Sequence, residues 1–409
     1  MVKSAHEARD LYRFGHAAPL RSRTRPGALE RSASCSLAAV PPSCRRAQES
    51  VRRVAMRILM VTDAWRPQVN GVVHTLERLT ETLKSFEVQV DFLTPNIFRT
   101  LPLPTYPDIR LALTTPSHVA RLIEAGKADH IHIVTEGPLG IMARRYCRKA
   151  GRPFTTSYHT RFPEYLSARL PVPERWAYNW LRDFHNSGQG TLVATQSLAD
   201  DLASRGFDKL RPWTRGVDTD HFGPDKRKDT SFPRPIFLCV GRVAIEKNLT
   251  AFLDLDLPGS KVVVGEGPEL AKLSARYPNA HFLGHRPNDE LAEIYASADV
   301  FVFPSRTDTF GNVIIEALAS GTPVAAYPVT GPIDIVGDGV GGAVSEDLRE
   351  AALKALHIDH AEARQRALRY SWKSCAEMFL DVVEEALGMP RKRADQNAVT
   401  SGRPRLVLE

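Results

Sequence analysis

The chain has 409 residues, of which 43% are hydrophobic and 25% charged, a composition typical of globular proteins rather than disordered or fibrous ones. A chain of this length predicts about two domains. It contains no run of about 18 apolar residues, so we expect no transmembrane helix. Its five cysteines are scattered and form no Cys-x-x-Cys pair. They therefore predict neither a disulfide framework nor a zinc site, and they favour a reducing compartment, the cytoplasm.

The net charge of +7 is unevenly distributed along the chain. Residues 1–55 carry eleven basic and four acidic side chains, whereas residues 231–387 carry 14 and 22. A basic front half favours contact with an anionic surface such as phospholipid headgroups, and ordinary charge scatter is the alternative.

Residues 1–55 differ from the rest of the chain in composition. They are rich in Arg, Ser, Ala and Pro, and they show no apolar periodicity and no hydrophobic core of a secretion signal. We favour a translated stretch upstream of a start at Met56 over an Arg-rich targeting arm. In both cases we expect this segment to be disordered and to take no part in chemistry.

From residue 56 onward, apolar strands alternate with amphipathic helices, and this alternation predicts α/β domains with parallel sheets. In the first series, a strand at 58–62 leads through a glycine-containing loop to a helix at 74–85. The remaining predicted strands lie at 88–93, 129–134, 154–158, 191–195, 235–240, 261–264, 281–283, 300–304 and 323–326.

The two series of strands predict two Rossmann-like, doubly wound domains that face each other across a cleft. We place the first domain at 56–225 and the second at 226–370, joined through a polar linker. A final helix is predicted at 371–387, and the tail at 388–409 is expected to be disordered.

Three segments of the second domain give the clearest indication of a ligand-binding site, and each follows a predicted strand. The first contains Gly241, Arg242 and Lys247. Ligands of open α/β sheets bind at the carboxyl ends of the strands. A glycine there lets the backbone approach a ligand, an arginine can bind phosphate oxygens bidentately, and a lysine adds a compact charge. Alone, the segment is equally compatible with a solvated loop.

The second segment, VGEGPEL at 264–270, contains Gly265 and Gly267 but lacks the third glycine of a dinucleotide-binding fingerprint. Pro268 follows the second glycine. We therefore predict a tight turn that opens a helix, with this proline in the first helical turn.

The third segment is the strongest evidence for a site that binds a diphosphate and a sugar. After the strand at 300–304, Asp308 lies in a loop, and Glu316 lies about one turn into a helix predicted at 313–320. A diphosphate at the N-terminus of this helix would meet free amides and the positive end of the helix dipole. The two carboxylates would flank that anion and accept hydrogen bonds from sugar and ribose hydroxyls. The alternative is a helix cap at Asp308 and a surface Glu316.

In this order and spacing, the three segments resemble the donor half of the retaining GT-B glycosyltransferases. The hallmark of that family is Glu-x7-Glu, and this chain has Asp308-x7-Glu316. The stretch SRTDTFGNVIIEALASGTPVAAYPVTGP at 305–332 is similar to GDP-mannose-dependent α-mannosyltransferases and to sulfoquinovosyl and lipid glycosyltransferases. The resemblance covers about 56–387 and implies a GT-B fold whose last helix crosses back onto the first domain. Because the first acid of the motif is aspartate rather than glutamate, the motif does not identify the transferred sugar.

The resemblance also implies roles for individual residues. Arg242 and Lys247 would neutralise the donor diphosphate, Asp308 would hold the transferred sugar, and His159 would lie beside the anomeric carbon. Arg215 would sit where the cleft closes. The other positions implied for the nucleotide-sugar donor are Gly71, Gly241, Gly265, Gly267, Leu283, Phe310, Gly311, Asn312 and Glu316.

The implied reaction is transfer of a hexose with retention, best matched by mannose from GDP-mannose, to a lipid or glycan acceptor. In this family the leaving phosphate itself is thought to deprotonate the acceptor. The sequence offers no Asp-x-Asp motif, so we expect a metal-independent enzyme with no cofactor besides its donor, and no nucleic-acid partner. Glucosyl or sulfoquinovosyl transfer from a UDP-sugar to diacylglycerol is the nearest alternative.

The first domain is expected to bind the acceptor. Residues 161–185 interleave aromatic side chains with arginines, and 144–149 is a basic helical run. This pattern favours a lipid acceptor and peripheral contact with the cytoplasmic face of the inner membrane. A core-facing stripe with a solvated basic side is the alternative. The candidate acceptor residues are Glu136, Arg161 and Tyr165.

Three other classes of protein are compatible with this architecture. A non-catalytic GT-B-like binding protein would keep the donor residues without turnover. A nicotinamide dehydrogenase would need a three-glycine loop at Gly71 or Gly265, and neither position has one. A sugar-nucleotide epimerase would need acids in the first domain that the sequence does not identify.

Overall fold

A computed structural model of the chain describes residues 56–389, except 69–70, 104–105, 168–172 and 338. The extension predicted at 1–55 and all but the first two residues of the predicted tail lie outside the described residues.

The first lobe combines a parallel sheet with a hairpin. Its strands are β1 Arg57–Val61, β2 Gln89–Leu93, β3 Arg99–Leu103, β4 Tyr106–Leu113, β5 His130–Ile133, β6 Phe154–Tyr158, β7 Gly190–Val193 and β8 Leu210–Pro212. Its helices are α1 Gly71–Lys84, α2 Pro116–Gly126, α3 Pro138–Ala150, α4 Phe162–Ser167, α5 Glu174–Asn186 and α6 Gln196–Ser204. Six strands form the parallel sheet in the order β2-β1-β5-β6-β7-β8.

The second lobe repeats the architecture. Its strands are β9 Ile236–Val240, β10 Ser260–Val264, β11 His281–Phe282, β12 Val300–Phe303, β13 Val324–Ala326 and β14 Gly342–Val344. The remaining helices are α7 Leu249–Leu253, α8 Leu270–Arg276, α9 Asn288–Ser297, α10 Asn312–Ala319, α11 Pro332–Ile335, α12 Leu348–Ala355, α13 His360–Ala367 and α14 Trp372–Ala386. The sheet order is β11-β10-β9-β12-β13-β14, all parallel.

Both parallel sheets are sandwiched between helices, and the strand sequences show why. Ile58, Leu59, Met60 and Val61 are all buried, with no alternation of polar residues, because helices cover both faces of β1. The first helix, α1, buries residues at the three- and four-residue spacing of one helical face: Val73, Leu76, Leu79 and Leu83. The predicted fold class is confirmed.

The last helix, α14, returns from the second lobe to the first. Ser371 caps its N-terminus by accepting from the Ser374 amide. Cys375 and Phe379 then pack with Ile58 in the core of the first lobe. This crossover brings α14 against the first sheet, as the family resemblance implied.

The antiparallel hairpin of β3 and β4 was not predicted. Its strands contain two prolines and no clean alternation of apolar residues. The edge strands β8 and β14 were missed as well, because each has only three residues. Helix α1 begins at Gly71, three residues before the predicted start.

Candidate active site

The three predicted segments converge at one point of the second sheet. The strand order reverses between β9 and β12, so the loops that follow these neighbouring strands emerge side by side. Such a switch point is where open α/β sheets bind ligands. The Asn248 side chain ties the two loops together by donating to the carbonyl of Pro304 at 3.1 Å.

Lys247 and Asp308 form an ion pair at this switch point. The Lys247 ammonium lies 2.6 Å from Oδ1 and 2.9 Å from Oδ2 of Asp308. The side chains are 28% and 18% exposed, so both are open to a ligand. The N-cap of α10 is Gly311, with no side-chain cap. Asp308 is therefore not a helix cap, and that alternative is removed.

Two glycines shape the loops around this pair. A Cβ on Gly265 would lie 1.9 Å from the Gly241 carbonyl oxygen, so the turn after β10 packs directly on the loop after β9. Gly311 has φ of 92°, a conformation that L side chains rarely adopt, immediately before α10. The predicted helix after Gly267 begins at Leu270, and Pro268 lies before its first turn rather than within it.

Glu316 lies on α10 and is half-buried. The buried Tyr295 hydroxyl donates to its Oε2 at 3.0 Å. Burial raises the pKa of Glu316 to about 7, against smaller lowering effects of the Tyr295 hydrogen bond and the charge of His221. Glu316 is one wall of a cavity of about 110 Å³. The cavity is also lined by residues of the first lobe and of the interlobe connection: His74, Arg78, Gly216, Asp218, His221 and Trp372.

Residues of the first lobe meet the loop between β12 and α10 of the second lobe, which contains Asp308 and Thr309. The Thr309 hydroxyl donates to the backbone carbonyl of His159 at 2.7 Å. A Cβ on Gly71, the first residue of α1, would lie 3.6 Å from the side-chain nitrogen of Asn312. The structure thus brings His159 and Gly71 to the same place as the Asp308 loop, which sequence reasoning achieved only through the family resemblance.

Arg215 is 4% exposed. Its guanidinium donates to the carbonyls of Trp213 at 2.9 Å and Thr214 at 3.2 Å, and to Nδ1 of His159 at 3.2 Å. Burial lowers its pKa to about 10. The structure therefore places this side chain in contact with the His159 ring. Its predicted role where the cleft closes stays a prediction.

The remaining donor candidates lie around the switch point. Arg242 is exposed in the loop after β9, and Gly241 and Gly267 have positive φ angles. Phe310 is buried, with its ring 6.0 Å from that of Tyr370. Leu283 follows β11 and packs on the core of the second lobe. Roles for these residues in donor binding stay predictions.

The acceptor candidates are engaged within the protein. Glu136 accepts from the buried His185 ring at 3.0 Å. Arg161 pairs with Glu164 and Asp201 at 3.0 Å each and donates to Thr330 of the second lobe, also at 3.0 Å. Tyr165 lies on α4, and its side chain is outside the described residues.

Three residues near the site were missed by sequence reasoning. Tyr295 holds Glu316, but on α9 it looks like any core residue. Ser197 donates to Asp334 across the lobes, through its amide at 3.1 Å and through its hydroxyl. None of these residues, Tyr295, Ser197 and Asp334, carries a local signal. The contact of Tyr295 joins two helices of the second lobe, and that of Ser197 with Asp334 exists only once the lobes meet.

Two Rossmann-like lobes, with a paired cation and carboxylate at the switch point of the second sheet, form the arrangement expected of a GT-B glycosyltransferase. The model of Glycosyl transferases group 1 matches residues 234–358, and that of Glycosyltransferase Family 4 matches residues 69–221. The chain belongs to this glycosyltransferase family, as the sequence resemblance predicted.

Relatives of known name agree with this assignment. The GDP-mannose-dependent alpha-mannosyltransferase of Mycobacterium tuberculosis is 31% identical over 69% of this chain and 81% of its own length. Alpha-monoglucosyldiacylglycerol synthase of Streptococcus pneumoniae is 28% identical over 74% of this chain and 78% of its own. The crystal structure of Anabaena Alr3699/HepE in complex with UDP has a TM-score of 0.60 at 16% identity, covering 81% of this chain and 100% of that one. That likeness concerns the fold.

Within the described part of the chain, no helix is both long and apolar enough to cross a membrane. Among the same residues, no three His, Cys, Asp or Glu side chains gather as metal ligands would. Metal independence stays a prediction.

Proposed function

We propose that this chain is a retaining, metal-independent α-mannosyltransferase that uses GDP-mannose as donor and a lipid or glycan as acceptor. The observation that carries the proposal is the Lys247–Asp308 pair beside the N-terminus of α10, at the switch point of the second sheet. The similarity to a GDP-mannose-dependent mannosyltransferase supports the choice of donor.

In the proposed reaction, the bond between the anomeric carbon and the diphosphate breaks, and negative charge develops on the leaving oxygen. Lys247, Arg242 and the amides at the start of α10 would stabilise that charge, because preorganised donors act most strongly where charge develops. Binding of the diphosphate would draw Lys247 from Asp308 and free the carboxylate for the sugar hydroxyls. The leaving phosphate would take the acceptor's proton as the new glycosidic bond forms on the same face.

Thermal unfolding with GDP, UDP and ADP, each with and without its sugar, tests the donor. A ligand at about 100 times its Kd stabilises the folded state by about 2.7 kcal/mol. We expect GDP and GDP-mannose to raise the Tm by several degrees and the other nucleotides to raise it much less. A shift with UDP and none with GDP would refute the mannosyl assignment while leaving the donor site intact.

A UDP-glucose-dependent transferase to diacylglycerol is the second candidate. The similarity to alpha-monoglucosyldiacylglycerol synthase favours it, and the shortened first acid of the Asp308-x7-Glu316 motif leaves the sugar open. The same nucleotide series separates the two candidates.

We also infer peripheral contact with an anionic membrane through the surface of α4 and α5. Trp176 is 62% exposed, Phe162 45% and Trp180 42%. Trp176 and Trp180 lie four residues apart and thus on one side of α5. The exposed Arg175 and Arg145 lie on α5 and α3. Exposed aromatic side chains near basic ones are typical of proteins that lie on anionic lipid.

Sedimentation with lipid vesicles tests this surface. The doubly substituted Trp176→Ser, Trp180→Ser protein is expected to lose most of its binding to vesicles containing phosphatidylglycerol. The control Leu368→Ser, at an exposed apolar residue of the second lobe, should bind like the unchanged protein. Equal binding of all three proteins would contradict the proposed surface.

A further inference from the structure

A buried arginine and a half-buried histidine meet at the cleft, and the chemistry of arginine restricts what the histidine can be. Nη2 of Arg215 lies 3.2 Å from Nδ1 of His159. The guanidinium is held in place, since its Nη1 donates to two backbone carbonyls. Its central carbon lies 4.2 Å from the centre of the Trp213 ring and 5.9 Å from that of Phe310.

A guanidinium has only donors, so Nδ1 of His159 must be the acceptor in this contact. A neutral imidazole carries one N–H, which must then lie on Nε2. An imidazolium would place a second N–H against the guanidinium. Burial, followed by the charges of Arg215, His132 and His185, lowers the pKa of His159 well below its ordinary value. The ring is therefore neutral near pH 7.

The Nε2 atom of His159 is buried and has no hydrogen-bond partner among the residues that the structure describes. Buried polar groups are nearly always paired in native proteins. The backbone of the same residue is already fixed, because its carbonyl accepts from the Thr309 hydroxyl in the loop between β12 and α10. A donor without an acceptor, next to the loop that would hold the sugar nucleotide, points to an acceptor supplied by the substrate.

We propose that Arg215 is a positioning residue that fixes His159 as the Nε2–H tautomer, so that His159 donates a hydrogen bond to an oxygen of the bound sugar nucleotide. The tautomer leaves no lone pair on Nε2, and Nδ1 is occupied, so His159 does not act as a general base. The substrate contact rests on the proposed function, whereas the tautomer is a property of the ligand-free protein.

Nitrogen NMR of the histidine side chains tests the tautomer directly. In protein labelled with ¹⁵N-histidine, the His159 signals are assigned as those absent from His159→Gln. We expect a pyridine-like shift for Nδ1 and a pyrrole-like shift for Nε2, unchanged between pH 6 and 8. In Arg215→Met, which removes the donors at similar side-chain length, the shifts should move toward a mixture of tautomers. A protonated Nδ1 in the unchanged protein would overturn the proposal.

Kinetics test whether Arg215 acts through His159. Misplacement of a positioned group costs up to about 100-fold in rate, so we expect Arg215→Met and His159→Ala each to lower kcat by about 100-fold. Residues that act as a unit are not additive. The double variant should therefore lose no more than either single one, whereas independent roles would give a loss of about 10⁴-fold and refute the proposal.

Two further variants control for folding. Arg215→Lys keeps a donor and should recover part of the lost kcat. Arg211→Met removes an arginine from the same stretch of chain, where it pairs with Glu385 at 2.6 Å on the surface, and should leave kcat within about two-fold. If no donor turns over, the kinetic arm fails with the proposed function, but the NMR result still decides the tautomer.

Discussion

Replacing Lys247 with alanine is expected to lower kcat/KM for sugar transfer by about 10²–10³-fold, the loss measured when one preorganised oxyanion donor is removed. The ammonium lies within hydrogen-bond distance of both oxygens of Asp308, at the end of the sheet where the donor diphosphate is proposed to bind. Its loss removes the positive charge that would face the leaving phosphate. It also leaves the Asp308 carboxylate without that partner and facing the same anion. Initial rates with radiolabelled donor measure the effect.

Lys354→Ala is the matched control for this prediction. Lys354 pairs with Glu350 on the surface and is 65% exposed. Such pairs contribute about 1 kcal/mol or less to stability, so this variant should keep full activity and its Tm.

The double variant Lys247→Ala, Asp308→Asn should recover part of the lost donor affinity, because it removes the carboxylate that would otherwise face the diphosphate without Lys247. Full activity in Lys247→Ala would mean that the diphosphate binds elsewhere.

Much of this site could be predicted from the sequence, because its segments obey local rules. Asp308 and Lys247 each follow a buried apolar strand, and neighbouring parallel strands bring their carboxyl ends together. Gly311 has a φ of 92° before a helix, a conformation that favours glycine, but its place at the site was predicted only through the family resemblance. Less of the first lobe could be predicted, because His159 could be placed at the site only through a family resemblance.

What the sequence could not show depends on contacts distant in the chain. Arg215 and His159 are 56 residues apart, and their hydrogen bond joins the region after β8 to the end of β6. Tyr295 and Glu316 are 21 residues apart on two helices that the fold of the second lobe brings together. No local periodicity encodes such pairings, so the state of a side chain, such as the tautomer of His159 or the pKa of Glu316, appears only with the fold.

Glu316→Gln is expected to make the ligand-free protein more stable and less active. Its carboxyl has an ordinary pKa of 4.5 and a folded-state pKa of about 7. The folded state thus binds the proton more tightly than the unfolded state, and stability present below pH 4.5 is lost as the pH rises to 7. Above pH 7 the charge on this half-buried carboxylate costs about 3 kcal/mol. A neutral amide, which still accepts from Tyr295, avoids this cost.

The difference between the two proteins should therefore depend on pH. At pH 8 we expect Glu316→Gln to raise the Tm by several degrees, and at pH 5 to raise it by a degree or two at most, because the cost there is under about 1 kcal/mol.

Activity should change in the opposite direction. A hydrogen bond to a charged group contributes about 1.5–3 kcal/mol, so loss of the carboxylate that would bind the ribose should raise the donor KM by about 10–100-fold. Glu350→Gln, at a surface glutamate 47% exposed, should leave KM unchanged.

The combination of stability and KM separates the possible roles of Glu316. A Glu316→Gln protein that is stabilised at pH 8 with an unchanged donor KM would show that the carboxylate lowers stability without binding the donor. A variant less stable at pH 8 would show that the carboxylate is compensated in the fold. Because activity often depends on a destabilised site, a gain in stability together with a loss of donor affinity at pH 8 would identify this cavity as the ribose site.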